Sequence, residues 1–126
     1  MSTELAKRET LISNIGFFEI KLEKDITSVA SLHRYSMQSL QRLHDNLSAQ
    51  YTHTDEYIKL QKPAKFIYDK IVAELKANKQ GLESGKGNAM SYTQRFNFLI
   101  DVSELFGDEL RDAGYEPALK ELFENS

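Results

Sequence analysis

The sequence predicts an all-α protein: a small helical bundle with long N-terminal helices. Three observations carry this. Ile12, Ile15, Leu22, Ile26, Val29, Leu40, Leu43 and Leu47 recur at steps of three, four or seven, or sums of these, which is close to the 3.5-residue seam of packed helices. Ala64, Ile67, Ile71 and Leu75 form a second stripe at helical spacing. The two prolines, Pro63 and Pro117, both stand where a helix can begin, because the N–H lost there is unpaired in any case.

Taken in order, residues 12–47 read as long helix, with Glu19, His33 and Ser36 as polar gaps in the seam. Such a seam suits a helical hairpin or a coiled-coil dimer face. A break is expected near Lys24-Asp25-Ile26-Thr27, where Asp25 or Thr27 can cap a new helix. The segments FFEIKLEK and RFNFLIDV also alternate like strands, so a short two-stranded ribbon from residues 17–23 and 95–102 is the α+β alternative. Thr54-Asp55 caps a turn reaching Leu60, and a helix then runs from Pro63 to about Lys79. Ser91 with Gln94 forms a capping-box pattern at the head of the next helix. Its apolar positions surround all but one narrow polar line, so it needs more than one neighbour. Gly107 divides this helix, Gly114 stops it, and Glu116-Pro117 opens a terminal helix through Leu119, Leu122 and Phe123. No repeat or linker is visible, and residues 1–126 read as a single helical domain.

Composition narrows the function classes. With 40% hydrophobic and 28% charged residues the chain can fold around a core. It has no cysteine, which removes disulfides, thiolate metal sites and cysteine nucleophiles. No apolar run is long enough to span a membrane, and MSTELAKRET lacks the apolar region of a signal peptide; a soluble, cytoplasmic protein with no membrane partner is expected. Residues 91–126 carry three basic and eight acidic side chains, so the C-terminal third is acidic and suits a basic partner surface.

The motifs offer little chemistry. KQGLESGKGN, residues 79–88, suggests a phosphate loop, yet Gly81 and Gly85 enclose three residues where a Walker loop has four. Gly87 follows Lys86 where a hydroxyl is required for magnesium. The stretch reads as an interhelical connector in which Gly81 ends one helix. His33 and His44 lie roughly 16 Å apart along one helix, too far to share a metal ion, and His53 with Glu56 is a pair where three or four ligands are needed. No catalytic set, metal site or cofactor is expected, and the acidic line Asp101, Glu104, Asp108 and Asp112 reads as a solvated face.

Binding residues can still be named. Ile15, Phe17 and Phe18 exceed what one seam can hide, so part of this stretch should cover a partner chain or another helix. With Asp101, Glu104 and Asp108 they form the expected protein-binding set. A nucleic-acid surface is the alternative, through Lys59, Lys62, Lys65 and Lys70 interleaved with Tyr57, Phe66 and Tyr68. That segment contains no arginine and is diluted by Asp55, Glu56, Asp69 and Glu74. The layout of the C-terminal half, with YTQRFNFLIDVSELFG as a helix followed by glycine, is similar to that of bacteriocin immunity proteins, and no residue role follows from that likeness. The expectation is a non-enzymatic accessory, inhibitor or immunity-type protein that binds another protein and forms a homodimer through its N-terminal helices.

Overall fold

The computed structural model describes residues 3–53, 64–85 and 87–125. Among the described residues there are seven helices and no strand: α1 (Thr3–Lys21), α2 (Val29–His33), α3 (Met37–Thr52), α4 (Ala64–Glu83), α5 (Ala89–Leu105), α6 (Gly107–Asp112) and α7 (Glu116–Glu124). The fold is all-α. Residues 17–21 close α1 and residues 95–102 lie inside α5, so the ribbon alternative is not formed. The helices gather into two compact units, Met1–Gln61 and Lys62–Ser126. The expected turn from Thr54 to Leu60, and Pro63 as a helix start, lie outside the described residues.

In the N-terminal unit the seam closes within one chain. The Arg8 guanidinium donates to the carbonyls of His33 at 3.3 Å and Tyr35 at 2.5 Å. At the other end of α1, Phe17 and Phe18 lie 6.3 and 5.6 Å from the Tyr51 ring. The helices α1 and α3 therefore run in the same direction, and α2 with its flanking turns carries the chain back between them. Ile12, Ile15, Ile20, Val29, Leu32, Leu40 and Leu47 are buried. The seam is real, but it is divided among three helices and leaves no continuous stripe for a coiled coil.

The break after α1 has a specific cause. Lys24 N–H bonds the Glu19 carbonyl at 2.8 Å and Glu23 N–H bonds the Ile20 carbonyl at 3.1 Å, the paired bonds of a Schellman stop. That stop requires a left-handed residue, and Glu23 supplies it with φ of 58°. A side chain in this region costs roughly 1–2 kcal/mol. Glu23→Gly is expected to relieve it, offset by the larger unfolded-state freedom of glycine. The net gain is about 0.5–1 kcal/mol, read as a higher urea midpoint; a lower midpoint would mean that the carboxylate contributes more than the strain.

Ser28, not Asp25 or Thr27, caps the next helix, accepting from Ser31 N–H at 3.4 Å. Thr27 instead ties the turn to Glu19, donating its hydroxyl at 2.6 Å and its N–H at 3.2 Å to the carboxylate. Glu19 is only 4% exposed, so what reads as a polar gap in the seam is a buried latch. Burial pushes its carboxyl above the usual range, and the Thr27 bonds and Lys24 offset this only in part. Because the folded-state value is raised, stability from this group is full below the ordinary carboxylate pKa and is lost as pH rises through the raised one. The thermal stability of the wild type relative to Glu19→Gln should therefore fall as pH rises above the ordinary carboxylate range. Identical pH profiles would contradict this.

In the C-terminal unit α4 and α5 form an antiparallel pair. Arg95 bonds Glu74 at 2.6 Å and Asn78 Nδ2 donates to the Tyr92 carbonyl at 3.1 Å. The helix α4 continues to Glu83, so Gly81 does not end it. A Cβ at Gly81 would come within 2.6 Å of the Tyr92 ring; this glycine lets the two helices approach. The connector is residues 84–88, Lys86 lies outside the described residues, and the cap of α5 is Asn88 rather than Ser91, its Oδ1 accepting from Met90 N–H at 2.9 Å. The helix α7 runs parallel to α4, with Tyr115 stacked on Tyr68 at 4.4 Å and Lys79 donating to the Asn125 carbonyl at 3.2 Å. Ile67, Ile71, Leu75, Leu99, Val102 and Phe106 fill the core beneath.

Candidate functional site

The breaks at Gly107 and Gly114 that the sequence marks turn the chain twice, so that α7 returns alongside α5. The chain between them, α6, closes one end of the space. On α5, Phe96, Ile100, Ser103 and Glu104 share a face at helical spacing; on α7, Glu116, Leu119, Lys120 and Phe123 do the same. These faces bound a groove of about 620 Å³, with Gly107 and Leu110 contributed by α6.

Leu110 and Leu119 are buried at 2% and 4% exposure and form the floor. Phe96, Ile100 and Phe123 are half-buried walls, and the rings of Phe96 and Phe123 meet edge to face at 5.7 Å. The Ser103 hydroxyl donates to the Ile100 carbonyl at 2.7 Å, which leaves the lining apolar. Glu104, Glu116 and Glu124 stand on the rim with Lys120 as a basic lining residue, and all four are exposed. Gly107 adds the absence of a side chain: a Cβ built there meets nothing within 4 Å. The arrangement can take up apolar side chains beneath a rim of three carboxylates and one ammonium. A smaller cavity of about 200 Å³ lies between α4 and α5, lined by Asn78, Leu82, Tyr92 and Phe96 among others.

The residues named from sequence fall differently. Ile15 is fully buried, so it is core and offers no surface to a partner. Phe17 and Phe18 are half-buried against α3, where Phe18 also meets His44 edge-on at 5.7 Å; the helix they cover belongs to the same chain. Of the acidic set, only Glu104 reaches the groove. Asp108 pairs with Arg111 one turn along α6, and Asp101 is half-buried. Lys59 and Lys62 lie outside the described residues. Lys65 is paired with Asp69 at 2.8 Å, which holds its ammonium above the usual range, and Lys70 is half-buried. His33 sits at the end of α2, where burial lowers its imidazole.

Among the described residues no three His, Asp or Glu side chains converge as metal ligands do, and no helix is long and apolar enough to cross a membrane. Compared with family models, curated proteins and solved structures, the chain matches none. The groove therefore has to be read on its own chemistry. Its signal was present in the sequence as the over-wide apolar face of α5, which has more apolar surface than its neighbours cover.

Proposed function

We propose that this chain is a non-enzymatic protein-binding accessory, of inhibitor or immunity type, and that its working surface is the groove between α5 and α7. The observation that supports this reading is an open apolar groove walled by Phe96, Ile100 and Phe123, a concave site of the size that ordinarily accepts a ligand. Pairing with a second copy through α1 is not required, because Ile12, Ile15, Leu40 and Leu47 are already buried. Nucleic-acid binding through the central lysines is the weaker reading, since Lys65 is paired within its own helix.

A photo-crosslinking amino acid placed at Ser103 or Lys120, and as a control at the exposed Ala73 of α4, tests the proposal in the native host. The expected result is one protein adduct, identified by mass, from both groove positions and none from the control. Absence of an adduct from the groove, or a nucleic-acid adduct from a probe at Lys70, would reject it.

A further inference from the structure

The chemistry of the groove also selects among partners. Resting on the protein-binding reading above, we infer that the occupant is an amphipathic α-helix of the partner, carrying apolar anchors on one face and basic residues beside them. Charge is the first argument. Glu104, Glu116 and Glu124 face Lys120 alone among the lining residues, so the apolar opening is bordered by net negative charge. Complementary charge at such a rim raises encounter rate and suppresses acidic competitors.

Backbone hydrogen bonding points the same way. An extended peptide that binds by strand addition draws its main-chain hydrogen bonds from a sheet edge. The walls here are helices, whose own backbone groups are paired internally, and no strand occurs among the described residues. A helix brings its backbone bonds with it and inserts only side chains, at i, i+3 or i+4 and i+7. Gly107 completes the fit. Its missing side chain leaves room in the groove beside α6, and a Cβ there would meet nothing within 4 Å.

The test uses the full chain and three fluorescent probes: a model helix with leucine anchors and lysine flanks, the same helix with glutamate flanks, and a fatty acid. Fluorescence polarisation should show the lysine helix binding about tenfold more tightly than the glutamate helix at low salt, a difference that closes near about 1 M salt. Glu104→Lys combined with Glu116→Lys should invert the order; both positions are exposed, so folding is not at stake. Gly107→Leu should abolish binding of both helices with an unchanged circular dichroism spectrum. Equal binding of the two helices at low salt would overturn the basic-partner inference while leaving the crosslinking result, and with it protein binding, intact. Failure of both helices, or uptake of the fatty acid alone, would overturn it as well, and loss of the groove adducts would locate the failure in the protein-binding reading itself.

Discussion

Ile15→Asp is expected to abolish protection of the N-terminal unit against amide exchange. Ile15 is fully buried on α1, as Ile12, Leu32 and Leu40 are in the same unit. An aspartate there either carries its charge into an apolar interior or takes up a proton to avoid doing so, and both are costly. A cost of about 4 kcal/mol or more is the usual outcome of an uncompensated buried charge. Exchange of slowly exchanging amides in α1 and α3 should accelerate by about 1,000-fold. Ile15→Val, which removes one methylene, should cost only about 0.5–1.5 kcal/mol. If Ile15→Asp leaves exchange unchanged, then Ile15 is a surface residue, as its place in the seam also allows, and the packing of this unit is wrong.

Phe106→Ala is the second large effect. Phe106 is 1% exposed at the junction of α5 and α6, where its N–H bonds the Val102 carbonyl and its carbonyl accepts from Leu110. Truncating a buried phenylalanine removes its transfer free energy and leaves a cavity, about 3–5 kcal/mol together. The loss should appear as a lower midpoint for the C-terminal helices and faster exchange in α5 and α6. The same substitution should weaken whatever the groove binds, because Phe106 is buried between α5 and α6 next to Gly107, which lines the groove. A change below about 1 kcal/mol would show that the corner is held by other contacts.

The helices were legible because their determinants are local. The stripe Ala64, Ile67, Ile71, Leu75 gives α4, and Gly107, Gly114 and Pro117 mark the corners where the chain turns. Caps were less so. Ser91 and Gln94 fit a capping box, yet the helix starts at Ala89, because Gly87 takes a φ of 80° and delivers Asn88 in an extended conformation ready to cap. Glu23 gave no sign of a helix stop, since a glutamate in the left-handed region is set by the turn that Thr27 and Glu19 tie down.

Ile15, Phe17 and Phe18 were legible as apolar excess but not as to what covers them; that depends on α3 lying parallel to α1, a tertiary fact. The groove divides in the same way. The wide apolar face of α5 and the amphipathic α7 are sequence properties. The space between them depends on two turns and on a side chain that Gly107 does not have.

The proposed docking of a partner protein between α5 and α7 can be followed residue by residue. It is tested most directly by the amide chemical shifts of the isotope-labelled chain titrated with the lysine-flanked helix. Changes should concentrate in residues 96–110 and 116–124, with the α1 and α3 signals undisturbed. Shifts centred on Lys65 and Lys70, or on Phe17 and Phe18, would contradict it.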